Sequence, residues 1–302
     1  MLGLKPAAWH PWAAIVLTVL IWSAFLVSTR AATTQALGPL EVGLLRYGPA
    51  LVLFVPLLVQ RGVWAQGLKL SHFALIAVGG GFGFVFLLSS GFRYAPVADS
   101  GIFTPAMLPF FVALLSFLVL KERFDRLRLS GFALILAGAV FVAVTEGLAD
   151  GPQGAWRGHL FFLAGSFFWA CYTVAYRLSG LEPLYAAALM AFWSSLVFAL
   201  CALIFGIRFE ISLSFFALQV LFQGILSGFL ATITFGYAVA HLGPSRTAAF
   251  AALVPGLSAI GAWIVLAEPI PLNKMLGLGA ATLGVVLASG ILSKRQDASA
   301  RV

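Results

Sequence analysis

Charge is what this sequence has least of. Asp, Glu, Lys and Arg make up 9% of its 302 residues, against roughly 25% in an ordinary globular chain. Hydrophobic residues make up 62%, and the mean hydropathy is +1.04. A chain this poor in polar groups cannot cover itself in water, so a soluble domain is excluded and its solvent is lipid. Cysteine is scarce too. Cys171 and Cys201 lie inside apolar runs with no partner spacing, and read as small packing residues rather than a disulfide or a metal pair. There is no H-E-x-x-H, no G-x-S-x-G and no carboxylate pair deep in an apolar run, which removes the signatures of an intramembrane protease. His72 begins one apolar run and His241 follows another. Single histidines without acidic or cysteine company make poor metal ligands, so neither metal nor cofactor is expected.

What remains is apolar runs and a repeat. A membrane helix needs about 20 mostly apolar residues to cross roughly 30 Å of hydrocarbon. Runs of that length fall at 11–29, 40–60, 71–91, 96–119, 128–146, 158–178, 185–206, 212–235, 245–266 and 273–292, which predicts ten spans. The connections are short and several carry proline or glycine, as in "LGPL" at 37–40 and "DGPQG" at 150–154. Pro109 precedes Glu122 by thirteen residues, and Pro255 precedes Glu268 by thirteen. The offset of 146 also pairs Gly131 with Gly277 and Gly138 with Gly284, and an offset of 147 pairs Trp22 with Trp169. The chain therefore reads as a duplication, with residues 1–147 and 148–302 each forming five helices.

Lys and Arg set the orientation. Twelve of the eighteen fall on the side holding both termini and five on the other, with Arg46 inside a span. The bias places both termini in the cytoplasm of a bacterial inner membrane. The basic balance is thus a topology signal and not a nucleic-acid footprint. The first span follows only Lys5, yet Trp22 has a repeat mate, so it is expected to be a mature helix rather than a signal peptide. Five spans per half is an odd number, so the second half runs inverted. The expected fold is an all-α integral membrane protein with ten transmembrane helices as two inverted five-helix repeats. Such repeats mark secondary transporters, whose site lies near the midplane between the halves.

Arg46 is the one basic residue well inside a span, where an unpaired guanidinium costs at least about 2.5–3.5 kcal/mol. It fits a substrate carboxylate, or a structural or gate pair with Glu41 or Asp99. Trp22, Trp169, Trp193 and Trp263 lie deep in spans and suit either cavity lining or helix packing, whereas Trp9, Trp12, Trp64 and Trp156 sit at span ends as interfacial anchors. Tyr172 and Tyr176 follow Trp169 on one helix face. Ser23, Tyr47, Ser90, Gln223 and Tyr237, with Thr104 among others, supply further inward polar groups, although most hydroxyls should bond their own helix backbone. Gly79 with Gly83, and Gly224 with Gly228, repeat a GxxxG spacing on the third and eighth spans and allow close approach or flexing. Pro105, Pro109 and Pro255 bend the fourth and ninth. These glycines and prolines are the candidate gating positions, with rocking of whole bundles as the alternative. Glu122 and Glu268 close the fourth and ninth spans against the helix dipole and read as caps on a neighbouring helix start or as proton-coupling groups. With Asp99 and Glu41 near helix starts and no carboxylate deep in a span, the pattern argues for downhill facilitated export over strongly proton-driven antiport. The glycines of the last helix suit either a homodimer interface or packing inside the bundle.

The stretches "RYAPVADSGIFTPAMLPFFVALLSFLVLKERF" at 93–124 and "AVAHLGPSRTAAFAALVPGLSAIGAWIVLAEPI" at 238–270, with Trp22–Ser23 and Arg46, resemble the ten-helix drug/metabolite transporter superfamily with two EamA-type repeats. The resemblance covers nearly the whole chain. The aromatic content and overall pattern are similar to bacterial amino-acid exporters of the YddG type. One departure is that Trp193 stands where the first repeat has Arg46. The resemblance implies a transporter, not an enzyme, that exports small metabolites by alternating access through a central cavity. One arginine with several aromatics suits neutral or aromatic amino acids. Broad drug or metabolite export is the alternative, with a channel or an intramembrane enzyme from other classes. The expected partners are a small-molecule substrate and the lipid bilayer, and no nucleic acid.

Overall fold

The computed structural model describes residues 9–148 and 154–292. The charged residues counted at the two chain ends, and the "DGPQG" turn apart from Gly154, lie outside them. The described residues form ten helical spans. They are α1 (His10–Thr34), α2 (Pro39–Arg61), α3 (Leu70–Gly91), α4 (Val97–Leu120), α5 (Arg126–Leu148), α6 (Ala155–Ser179), α7 (Pro183–Phe205), α8 (Leu213–Leu242), α9 (Pro244–Leu266) and α10 (Leu272–Ala288). The first nine are each long and apolar enough to cross a bilayer. At 17 residues, α10 covers about 26 Å. We call the face bearing the start of α1 and the end of α10 proximal, and the other distal.

The local sequence explains where helices begin, bend and stop. Proline occupies the first turn of α1, α2, α7 and α9, where its missing N–H costs nothing and its fixed φ suits the helix. Pro109 and Pro255 do the same within spans. The helix of α4 restarts at Leu108 and that of α9 at Val254, each with its proline in the new first turn. The glycine-rich segments behave differently from a simple kink. Leu75–Gly83 in α3 and Val220–Leu230 in α8 are wound as π-helix, as is Ile102–Ala106 around Pro105. Wider winding in the spans that carry Gly79, Gly83, Gly224 and Gly228 absorbs an extra residue without opening the ladder to lipid, and such segments recur at functional sites.

Packing follows the repeat. α1 lies on α8 and α9, while α6 lies on α3 and α4; α2 packs on α7, and α5 runs along α10. This is the inverted five-plus-five arrangement. The glycines of the last contact are consumed inside the bundle. A Cβ on Gly131 would stand 2.5 Å from the Ala288 nitrogen, and one on Gly284 would stand 2.8 Å from the Gly131 oxygen.

The repeat also shapes the two span ends that carry the paired acids. Lys121 (φ 57) and Ala267 (φ 53) are left-handed, and the next amide in each case reaches back six residues, Glu122 N–H to Ser116 O and Glu268 N–H to Ala262 O, both at 3.3 Å. That closure stops the helix and turns the glutamate inward. Glu122 pairs with Arg177 at 2.5 Å and Glu268 with Arg30 at 2.6 Å. The arginines are themselves repeat mates at the offset of 147. Neither acid needed a neighbouring helix start alone: each has an arginine, and Glu268 adds the Val97 amide at 2.9 Å.

The close α5–α10 approach can be tested by Gly131→Val. It should destabilise the protein by about 1–3 kcal/mol through overpacking and lower the unfolding midpoint in detergent. Gly279→Ala, where no atom lies within 4 Å of a new Cβ, should leave that midpoint unchanged. Equal midpoints for both variants would contradict the packing described.

Candidate functional site

A cavity of about 100 Å³ lies at mid-depth between the repeats, lined by Trp22, Phe25 and Leu26 of α1, Arg46 of α2, Phe84 of α3, Thr104, Pro105 and Leu108 of α4, Ser166 and Trp169 of α6 and Val254 of α9. The two repeat-related tryptophans stand on opposite inner helices and both reach it. Trp22 leans on Phe235 at 4.9 Å, and Trp169 is held edge-on by Phe84 at 4.6 Å and Tyr172 at 5.3 Å. The wall is therefore mostly aromatic and aliphatic, with one full charge.

That charge is Arg46. Its side chain is buried, its Nη1 donates to Ser227 Oγ at 2.8 Å, and its guanidinium lies 4.1 Å from the centre of the Phe25 ring. Its Nε has no hydrogen-bond partner. Among the described residues no carboxylate pairs with it. The ion pair with Glu41 or Asp99 considered above is not formed. Glu41 accepts from the Arg208 amide at 3.1 Å, and Asp99 is taken by Lys274 and His159. The cation–π contact, worth about 0.5–2 kcal/mol, and the charge-assisted bond to Ser227, worth about 1.5–3 kcal/mol, are comparable with the burial cost of about 2.5–3.5 kcal/mol, and the Nε donor is left over. Close by, Gln223 is fully buried, donates to Thr29 at 3.0 Å and Gln219 at 3.3 Å, and keeps its Oε1 unpartnered.

The other residues singled out in the sequence are distributed more widely. Ser23 bonds its own helix at Val19 O (2.8 Å) and Ser90 bonds Phe86 O (2.7 Å), the backbone use expected of hydroxyls in lipid. Tyr47 is buried beside Arg46 with its hydroxyl 3.8 Å from the Met190 sulfur. Tyr172 fills the space opposite Gly80, Tyr176 stacks on it at 6.0 Å, and Tyr237 lies against His241 at 4.2 Å. None of these is on the cavity wall. Gly224 and Gly228 let α8 close on α2 beside Pro49 and the Arg46 carbonyl, and Gly83 faces Phe168. Two of the four deep tryptophans do not reach the cavity. Trp193 donates to Val63 O at 2.7 Å near the proximal face, and Trp263 is 60% exposed toward lipid. Phe25, Leu26, Phe84, Leu108, Ser166 and Val254 were not anticipated. Ser166 sits one turn before Trp169, which is the signal that could have named it.

A buried carboxylate pair that no sequence spacing shows lies at the distal end, close to helix ends rather than deep in the spans. Asp99 and Glu146 are drawn together by Lys274, whose Nζ stands 2.6 Å from Asp99 Oδ1 and 2.5 Å from Glu146 Oε1. Lys274, which the sequence places at the very start of the tenth span, is 5% exposed and Asp99 is 0% exposed. His159 gives the two acids a histidine neighbour that the sequence reading passed over, and the ammonium fills the place between them. Losing one partner from a buried ionic set costs about 3–5 kcal/mol. Lys274→Met should lower the unfolding midpoint accordingly, while Arg208→Ala, which breaks the exposed 3.7 Å contact with Glu210, should change it little. A Lys274→Met protein as stable as the parent would overturn this assignment.

Comparison with known proteins agrees with this architecture. The family model for EamA-like transporters matches twice, over residues 11–144 and 156–290. A probable terminal-alkyne amino-acid exporter of Streptantibioticus cattleyicolor is 28% identical over 98% of both chains. The uncharacterized transporter YoaV of Bacillus subtilis is 23% identical over 93% of this chain and 97% of its own. A solved crystal structure superposes with a TM-score of 0.62 at 20% identity, covering 95% of this chain and 99% of the other, and shares the fold. With both halves matched, the chain belongs to the EamA-like transporter family of the drug/metabolite transporter superfamily, and is a multi-pass membrane transporter.

Proposed function

We propose that this transporter exports amino acids with neutral side chains by alternating access, with Arg46 taking the substrate carboxylate. The observation that carries the reading is the buried guanidinium at the cavity wall with an unpartnered Nε and no carboxylate beside it. A planar guanidinium receives a carboxylate by two parallel hydrogen bonds. Trp22, Phe25 and Trp169 then offer apolar faces to the side chain. A volume of about 100 Å³ is smaller than the roughly 150 Å³ that accommodates benzene, so short aliphatic or unsaturated side chains fit the cavity in this conformation better than indole or phenol. The relative named as a probable terminal-alkyne amino-acid exporter supports the same class. In this reading both termini face the cytoplasm of a bacterial inner membrane, the halves divide near residues 147–148, and no chemistry is performed on the substrate.

Flux of labelled neutral amino acids into proteoliposomes tests the proposal. Arg46→Ala should abolish saturable flux. Arg46→Lys, which keeps charge but loses two-point contact, should reduce it by about 10-fold or more, since hydrogen bonds to charged groups are worth about 1.5–3 kcal/mol. Unchanged flux in both variants would remove Arg46 from the site, and no flux of any amino acid in the parent would leave broad metabolite export in its place.

A further inference from the structure

Four charged side chains from four helices close into a ring beneath the distal face, and none lines the cavity. Lys274 of α10 contacts Asp99 of α4 at 2.6 Å, Asp99 contacts His159 Nε2 of α6 at 3.1 Å, the same nitrogen contacts Glu146 of α5 at 3.3 Å, and Glu146 returns to Lys274 at 2.5 Å. The imidazole is also covered by the Phe103 ring at 4.3 Å. Several other charges at this face are engaged elsewhere. Arg30 pairs with Glu268, Glu41 holds the Arg208 amide, and Arg157 lies over the Tyr94 and Trp156 rings.

The ring alternates in sign only when His159 carries two ring protons. Two cations then balance two carboxylates and the net charge is zero. If the imidazolium gives up one proton, the set carries a net −1 with all four side chains at most 9% exposed. A buried net charge next to lipid is strongly unfavourable, so the neutral imidazole weakens the closed ring and favours its hydration and opening. Imidazole is also the side chain that ordinarily changes charge between about pH 5 and 8.

The ring sits where an opening would matter. Asp99 shares the first turn of α4 with Val97, whose amide is held by Glu268 at the end of α9. A few residues on, α4 meets α9 so tightly that a Cβ on Gly101 would stand 3.1 Å from the Pro255 Cα. The distal start of α4 is thus clamped to α9 on one flank and to α5, α6 and α10 through the ring on the other. The corresponding proximal pair, Arg177 and Glu122, is more exposed, at 59% and 31% against 20% and 16% for Arg30 and Glu268.

We propose that the Asp99–His159–Glu146–Lys274 ring is a proton-binding site that closes the distal face, so that opening of that face is governed by the pH of the distal space. The distal-closed form binds the proton more tightly, and by reciprocity the proton favours that form. Proton uptake from the distal space closes that face, and proton loss to the same space favours its reopening. The proposal rests on transporter function alone and not on the role given to Arg46.

The test needs no substrate. With Cys171 and Cys201 replaced by alanine, spin labels at Arg93 and Leu272, on either side of the distal closure, report its width in nanodiscs. Between about pH 6 and about pH 8 the parent protein should shift to longer distances by several ångströms. His159→Gln, which keeps a donor but never a charge, should stay at the longer distances at both values. An unchanged distribution in the parent, or the same pH shift in His159→Gln, would overturn the proposal. In proteoliposomes flux in the parent should fall as the pH on the distal side is lowered from about 8 to about 6, and flux in His159→Gln should not respond. If no amino acid is carried at all, the function proposed above fails while the distance measurement still decides this one.

Discussion

In lipid, a charged side chain has to find its counter-charge within the protein, because neither water nor a mobile ion will supply one. This chain carries few charges, and the fold places the membrane-depth ones in three arrangements. The acids that end α4 and α9 meet arginines of α6 and α1. Two acids, a lysine and a histidine close into a ring. Arg46 alone is left, among the described residues, with a hydroxyl and an aromatic face but no carboxylate. The first two arrangements hold helices together. The third has an unmet requirement, and it is the one that borders the cavity.

The two halves use the same parts with different outcomes. The left-handed residues Lys121 and Ala267, the glutamates after them and the arginines that receive them are all related by the repeat. The symmetry breaks at two places. Trp193 takes the position of Arg46 and packs near the proximal face instead of entering the cavity, so the cavity wall carries a single cationic group. The buried ring belongs to the distal half of α4, where Gly101 also stands against Pro255 of α9. An inverted repeat with unequal closures has the geometry that alternating access requires, since the two faces must be able to exchange open and closed forms.

Much of this was legible from composition and spacing. Apolar runs matched helix bounds within four residues because lipid leaves the backbone no alternative to the helix, except that α1 and α8 run on to Thr34 and Leu242 past the expected 29 and 235, and the paired Pro-to-Glu spacing exposed the duplication. Trp22 and Trp169 on the cavity wall followed from their shared register. What was hidden depended on long-range juxtaposition. Asp99, Glu146, His159 and Lys274 are spread over 175 residues, each within a turn or two of a helix end, where lone charges read as loop decoration. The pairing of Arg30 with Arg177 at the repeat offset was visible in principle, and would have named the partners of both glutamates. The π-wound segments left no mark in the apolar pattern, since glycine-rich runs suit kinks and close approach equally.

The central claim is that Arg46 awaits a carboxylate, and equilibrium binding of a labelled short-chain neutral amino acid to the purified protein tests it most directly. Competition should come from the free acid and not from the corresponding amide, which keeps the side chain and loses the anion. About 10-fold or weaker binding of the amide is predicted from the loss of a charge-assisted pair. Equal competition by acid and amide would show that the guanidinium does not read the carboxylate and would contradict the account.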